Sequence, residues 1–138
     1  MKPATRLDVV VKLRERDEEK ARLALADSER AAKAAAEAAR RAAEQARKDH
    51  RAAGTAADWQ MHDLAHGRAL HEAAEAEKAA GAADQHLVKT RNHYSSAYKR
   101  AETIRRVAET RRSELVAEIE GRERKELDEI GVLLHVWS

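Results

Sequence analysis

Small residues and one Leu recur at spacings of three and four along the first third of the chain, with nothing between them that breaks a helix. These positions are Ala21, Leu25, Ser28, Ala32, Ala35, Ala39, Ala42 and Ala46. The spacing keeps their side chains on one side of an α-helix, as in a coiled coil. Since the chain has one Pro, at position 3, and Ala and Arg are strong helix formers, the sequence predicts a long helix and not disorder.

The composition is typical of long helices and not of a globular core. Charged residues make up 38% of the 138 residues, and aromatic residues 3%. Large side chains, each worth roughly 1.5–3 kcal/mol on full burial, are too few for such a core. The 27 basic and 25 acidic residues are interleaved and leave a net charge of +2, which indicates a solvated surface that carries ion pairs.

Two hydroxyl–carboxylate pairs mark the expected helix starts. Thr5 precedes Asp8 by three residues, and Thr55 precedes Asp58 by three residues. Each pair has the spacing of a capping box, in which two side chains satisfy free backbone N–H groups at the start of a helix. Gly54 is expected to cap the C-terminal end of the preceding helix.

These signals predict an all-α antiparallel coiled-coil hairpin that forms a single domain over residues 1–138. Helix one is expected over about 6–52, the turn near 53–58 (about 53–57) and helix two over about 58–135. The second helix is then longer than the first. A turn at Gly67 is the alternative, because this residue is closer to the middle of the chain.

The position of the turn decides whether the C-terminal end of helix two has a partner. The predicted seam of this helix contains Leu64, Leu87, Tyr94, Ala97, Ala101, Ile104, Ala108, Leu115, Ile119, Leu127, Ile130, Leu134 and Trp137. With the turn at Gly54, everything from about Leu115 onward extends beyond the first helix, because both helices rise equally per residue. With the turn at Gly67, residues 7–13 would cover that end. We favour the uncovered end.

The histidines next to the turn were considered as a metal site. His62 and His66 are four residues apart and His71 follows, a spacing close to the H-E-x-x-H of zinc proteases. However, Asp63 takes the place of the general-base Glu, and a two-helix hairpin offers no pocket for a site. We therefore predict no catalytic residue, no cofactor, no metal site and no enzyme activity.

A basic stretch over residues 89–112 was considered as a nucleic-acid surface. It is interleaved with Tyr94 and Tyr98, but these fall near the seam spacing and are expected to pack between the helices. The balanced charge of the chain also predicts no nucleic-acid partner. No apolar run approaches the roughly 20 residues that span a bilayer, so we expect no membrane insertion. The chain has no Cys, which fits a reducing, cytoplasmic compartment.

Three stretches resemble the FliJ/YscO family, the central-stalk proteins of flagellar and injectisome type III secretion. They are RLDVVVKLRERDEEKARLALADSE near the start, TAADWQ after the turn and RERKELDEIG near the end. The resemblance implies a cytoplasmic protein, similar in form to the γ subunit of rotary ATPases and peripherally associated with the inner-membrane export apparatus. Its paired terminal segments would enter the pore of a hexameric export ATPase. Its turn side would contact the cytoplasmic ring of the export gate, and some members also bind secretion chaperones.

The resemblance also implies two sets of interface residues. The ATPase-facing set is Leu7, Val10, Leu13, Leu127, Ile130, Leu134 and Trp137. The set that faces the export gate is Gln45, His50, Trp59, Met61 and Leu64. Trp59 has an alternative role as a plug that closes the end of the hairpin. The free protein is expected to be a monomer; the alternative is a generic coiled-coil scaffold or self-associating structural protein, whose open end dimerisation would bury.

Overall fold

The chain consists of two α-helices in the computed structural model, α1 over Leu7–Arg47 and α2 over Ala56–Trp137. The structure describes residues 3–48 and 54–137, and no strand occurs among them. With 41 residues in α1 and 82 in α2, the predicted all-α helical hairpin with a longer second helix is confirmed.

The helices form two compact units, each of which combines part of α1 with part of α2. Unit one contains Met1–Glu19 and Ser96–Ser138, and unit two contains Lys20–Ser95. Each unit is described by itself below.

A seam of small side chains holds unit two together. On α1 it follows the predicted positions, with Ala21, Ser28, Ala32 and Ala46 buried and Leu25, Ala35, Ala39 and Ala42 half-buried. On α2 the half-buried positions also recur at spacings of three and four, through His62, His66, Ala69, Ala73, Ala76, Ala80, Ala83, Leu87, Thr90 and Tyr94. Because most of these side chains are small, the helices can approach closely while each contact buries little apolar area.

Leu64 was predicted to lie in this seam, and that prediction is wrong. Its side chain is 72% exposed. The seam spacing of four and three residues, counted back from Leu87, falls on His66 and His62 and not on Leu64. The regular spacing therefore outweighs the preference of a large apolar side chain for burial.

In unit one, the buried side chains are again alanines. Ala101 is 0% exposed, and Ala97 and Ala108 are also buried. The last half-buried residue of α2 is Leu115, and every residue from 116 to 137 is exposed. Gly67 lies inside α2, so a turn there is excluded and the prediction of an uncovered C-terminal end is confirmed. We call residues 116–137 the exposed end.

Two arginines of α2 fix the antiparallel pairing in unit one. The Arg105 guanidinium donates hydrogen bonds to Glu18, at 2.6 Å, and Glu15, at 3.2 Å. These hydrogen bonds hold the pKa of Arg105 above its ordinary value. Arg112 donates to Asp8 at 2.8 Å. Arg105 and Arg112 follow one another along α2, and their partners Glu15 and Asp8 follow in the reverse order along α1 at the same spacing, as antiparallel helices require.

The predicted capping box is complete at the start of α2, and one of its two hydrogen bonds is present at the start of α1. The Thr55 N–H donates to Asp58 Oδ2 at 2.9 Å, and the Asp58 N–H donates to Thr55 Oγ1 at 3.3 Å. At the start of α1 the Thr5 N–H donates to Asp8 Oδ2 at 3.0 Å. The hydrogen bonds from the Thr5 and Thr55 N–H groups lower the pKa of the Asp8 and Asp58 carboxyl groups that accept them. Because Thr55 is the N-cap residue, α2 begins at Ala56, two residues earlier than predicted.

The predicted end of helix one, at about residue 52, is too late. α1 ends at Arg47 and Lys48 lies outside the helix, while residues 49–53 are outside the described residues. Ala46 is the last buried residue of α1, and the sequence RKDHR that follows it offers no apolar side chain to continue the seam.

Gly54 does not end a helix in the predicted way. No described glycine has a positive φ, so Gly54 is not in the left-handed conformation of a C-terminal cap. It lies against the capping box of α2, where an added Cβ would be 2.7 Å from Asp58 Oδ2. The missing side chain leaves room for the capping carboxylate.

A pair of Gly→Ala variants tests this role. We expect Gly54→Ala to lower the free energy of unfolding, because the methyl group displaces the Asp58 carboxylate from its hydrogen bonds. Gly67→Ala should raise it by about 1 kcal/mol, because an exposed helical glycine is replaced by the best helix former and no atom lies within 4 Å of the new Cβ. Urea unfolding monitored by circular dichroism measures both. Equal stability of the two variants would contradict the assignment.

The capping carboxylates also predict a dependence of stability on pH. A carboxyl group whose pKa is lowered in the folded state stabilises the protein above its unfolded pKa, and this contribution is lost as the pH falls through the folded pKa. The contribution of Asp8 and Asp58 should thus be complete at neutral pH and decline only below 3.8, their ordinary value.

The double variant Asp8→Asn/Asp58→Asn measures this contribution. Its stability deficit against the unmodified protein, followed by unfolding from neutral pH to about pH 2, should shrink only in the acid range. Asp128→Asn, outside both capping boxes, is the control. A deficit that is constant throughout this range would contradict the role of the ionised carboxylates.

Candidate protein-interaction surface

The exposed end contains most of the exposed large apolar side chains of unit one. Its exposed members are Val116, Ile119, Leu127, Ile130, Val132, Leu133, Leu134, Val136 and Trp137. Trp137 is 86% exposed. At 1.5 Å per residue, residues 116–137 extend α2 by about 33 Å beyond its last half-buried residue. Apolar side chains clustered on a free helix usually mark an interaction site.

The apolar residues follow two different arrangements along this end. Val116, Ile119, Leu127, Ile130 and Leu134 are spaced so that they lie on one side of the helix. Over residues 132–137, apolar side chains occupy every position except 135. The final turns are therefore apolar around their whole circumference.

The section before these final turns is acidic. Residues 118–129 contain six acidic and three basic residues, so this section has a net charge of −3. Gly121 lies within this section and Gly131 follows it, and each weakens an exposed helix by roughly 1 kcal/mol relative to Ala. This end therefore lacks tertiary packing and contains two glycines that weaken it as a helix.

Some of the predicted ATPase-facing residues are half-buried, and the others are exposed to solvent. Leu127, Ile130, Leu134 and Trp137 belong to the exposed end. Leu7 and Val10 are half-buried on the first turns of α1. Leu13 is 52% exposed.

The predicted set omitted further residues of the same surface. These are Val116, Ile119, Val132, Leu133 and Val136. Val132, Leu133 and Val136 lie in the nearly continuous apolar run IGVLLHVW. This run indicates an interaction surface only if the helix beyond Leu115 is not covered by α1.

The residues predicted to face the export gate lie in unit two, except His50, which is outside the described residues. Trp59, Met61 and Leu64 are all exposed on the first turns of α2. Trp59 lies three residues before the seam residue His62, so it projects from the seam side of α2, whereas Met61 and Leu64 do not. Since Trp59 is still 43% exposed, it has surface left for a partner.

Gln45 lies beside the two histidines that were considered as a metal site. Gln45 and Lys48 of α1 line a groove with His62 and His66 of α2. The two imidazole rings stack in parallel, with their centroids 6.4 Å apart. Among residues 3–48 and 54–137, no three His, Asp or Glu side chains are grouped as metal ligands would be.

Neither helix, over its described residues, contains an apolar stretch that is long enough to cross a bilayer.

Comparisons with known proteins give one match. Residues 1–136 match the protein family described as flagellar FliJ protein. No curated protein and no solved structure matches the chain.

Limited proteolysis tests whether the exposed end is held only by its own helical hydrogen bonds. We expect trypsin to cut the free protein after Arg122, Arg124 or Lys125 before it cuts after Arg105 or Arg112. The first three lie in a helix that opens at low free-energy cost, whereas Arg105 and Arg112 are bonded to α1. Mass spectrometry of a time course identifies the sites. Simultaneous cleavage in both groups would contradict this difference in local stability.

Proposed function

Because the chain belongs to the flagellar FliJ family, we propose that it is the central stalk of a type III protein export apparatus and that its exposed end enters the pore of a hexameric export ATPase. The family membership rests on the match over residues 1–136, which makes the chain an export-associated protein. The observation that carries the finer proposal is the exposed end itself, a single helix that is apolar at its tip.

The distribution of apolar side chains supports a ring as the receptor. A groove would cover one side of a helix and would leave Val132 or Val136 in water when Leu134 was bound. The central opening of a ring can contact all sides at once and can remove each apolar side chain from water, at roughly 25 cal/mol per Å². The acidic section over residues 118–129 would then lie near the mouth of the pore and favour basic residues there.

The first turns of α2 support the second contact, with the cytoplasmic ring of the export gate. Trp59, Met61 and Leu64 are exposed there, and aromatic and methionine side chains are enriched at protein interfaces. We propose that these residues, with Gln45 and His50, face the gate. Secretion chaperones are proposed as further partners. The protein acts through binding and not as an enzyme, as a monomer in the cytoplasm that associates peripherally with the inner-membrane apparatus.

Self-association is the second candidate, because the same exposed apolar side chains could pair with those of another copy. A generic coiled-coil scaffold of this kind would bury its exposed end by dimerisation. Sedimentation at low micromolar concentration separates the two candidates. A monomer supports the stalk, and a dimer that Ile130→Glu abolishes supports the scaffold.

Binding to the neighbouring export ATPase gives a direct test through Trp137. The chain has two Trp, so Trp59→Phe leaves Trp137 as the only indole reporter. We expect its emission to shift to the blue when the ATPase hexamer is added, because the indole leaves water, and ATP turnover should rise in parallel. If turnover and emission both stay unchanged, the exposed end does not enter this ATPase.

Two pairs of charge substitutions make the test specific. Ile130→Glu/Leu134→Glu should weaken binding and stimulation about tenfold or more, since carboxylates would enter an apolar site. Leu70→Glu/Val88→Glu is the matched control, because these side chains are also exposed on α2 but lie in unit two. Both variants should keep the free energy of unfolding unchanged within about 0.5 kcal/mol. Equal loss of stimulation in both would contradict the assignment of the pore-binding surface.

A further inference from the structure

A shallow groove in unit one is lined by basic side chains over an apolar floor. Val10 and Arg14 of α1 form one side, and Lys99, Arg100, Thr103 and Ile104 of α2 form the other. We propose that this groove, here called the cationic groove, binds a short acidic amphipathic helix of a partner protein. The inference does not rest on the proposed function, because it requires no ring and no contact with the exposed end.

The cations of the groove are largely uncompensated. Lys99 and Arg100 make no ion pair with any residue that the structure describes. Arg14 lies 3.7 Å from Asp17, and both of these side chains are about half exposed. Exposed pairs of this kind contribute little, so Arg14 remains available for a second carboxylate.

A neighbouring groove of unit one provides an internal comparison. It is lined by Asp8, Val11, Arg105, Arg106, Ala108, Glu109 and Arg112. Each of its arginines has an acidic partner: Arg105 has Glu15, Glu18 and Glu102; Arg106 has Glu102; and Arg112 has Asp8 and Glu109. The arginines of that groove therefore stabilise the protein itself. Lys99 and Arg100 of the cationic groove do not have such acidic partners among the described residues, so they are available to bind the carboxylates of another protein.

The floor of the cationic groove specifies an amphipathic ligand. Val10 and Ile104 are half-buried, so each still has apolar surface that a ligand can cover. The Thr103 hydroxyl donates to the Lys99 carbonyl at 2.8 Å and adds no free donor. A third helix in the groove between two helices would place apolar side chains three or four residues apart on this floor. Carboxylates on either side of them would reach the three cations.

The acidic residues close to the groove argue against a nucleic acid. Asp17 lies beside Arg14. Glu102 lies between Arg100 and Thr103 in the sequence, on the same helix turn as Ile104. A phosphate backbone carries regularly spaced charge and needs a continuous basic surface, which these carboxylates interrupt. A peptide helix can place its acidic residues only where the cations are.

A designed peptide of about 18 residues serves as the probe, with Leu at helical spacing and Glu on both sides of the apolar stripe. Fluorescence anisotropy of the labelled peptide with the full chain should show binding that weakens as salt is raised. The triple variant Arg14→Glu/Lys99→Glu/Arg100→Glu should bind it about tenfold or more weakly. The matched control Lys33→Glu/Arg41→Glu/Arg68→Glu has the same change in charge in unit two and should bind as the unmodified protein does.

A second peptide shows whether the triple variant still has a folded groove. When Lys replaces every Glu, the peptide should bind the triple variant better than it binds the unmodified protein, and helix content should be the same in both proteins. Failure of the acidic peptide to bind overturns the proposal, as does equal loss in the control variant. Equal affinity for a peptide with Gln in place of Glu would do the same.

Two further outcomes would assign the groove to another ligand. A DNA duplex that binds the unmodified protein and not the triple variant, while the acidic peptide binds both, would identify a nucleic-acid surface. A dimer in sedimentation that the triple variant abolishes would show that a second copy, through its acidic section over residues 118–129, occupies the groove. Either result overturns the assignment to a partner protein.

Discussion

Seams in which most of the buried side chains are alanines bring α1 and α2 together within each unit. Ala21, Ala32, Ala101 and Ala108 are buried to 6% exposure or less, and a buried methyl group stabilises by only about 0.8 kcal/mol. Such a seam depends on many small contacts in register and not on a few large ones. It also leaves the large apolar side chains outside the packed interior, which is the reverse of an ordinary globular domain.

The exposed end follows from this division. Beyond Leu115 the side chains on the same face of α2 become Ile, Leu and Trp, which are too large for the close approach that alanines allow. No residue of α1 is present to cover them, since α1 begins at Leu7 and Arg112 already reaches Asp8. The surface that could bind a partner is thus the part of α2 that changes from small to large side chains where its own partner helix ends.

Much of the fold could be predicted because it depends on local and periodic features. The seam of α1 follows directly from its spacing, and the Thr55–Asp58 box placed the start of α2 to within two residues, while the alternative turn at Gly67 stayed open until the structure placed this residue inside α2. Two predictions were wrong because residue type was given more weight than the seam spacing or the charge of the neighbouring residues. Leu64 was assigned to the seam because it is apolar, although His62 and His66 hold the regular positions. Helix one was extended to residue 52, although charged residues follow Ala46.

The site was less accessible to sequence reasoning. Leu127, Ile130, Leu134 and Trp137 could be selected from the apolar positions near the C-terminus, because the predicted first helix does not extend far enough to cover them with the turn at Gly54. The pairing of Arg105 with Glu15 and Glu18 joins residues about 90 positions apart, and no periodicity within one helix specifies it. The cationic groove depends on the same information, because it is defined by which cations lack such a partner.

Hydrogen–deuterium exchange along α2, with and without the export ATPase, tests the central claim that the exposed end is not covered by α1 in the free protein and is covered in the complex. In the free protein, amides of residues 116–137 should exchange faster than those around Ala101 and Ala108. Addition of the ATPase hexamer should slow exchange at residues 116–137 and leave the seam unchanged. Slow exchange of the exposed end in the free monomer, or no slowing of its exchange in the complex, would contradict the account.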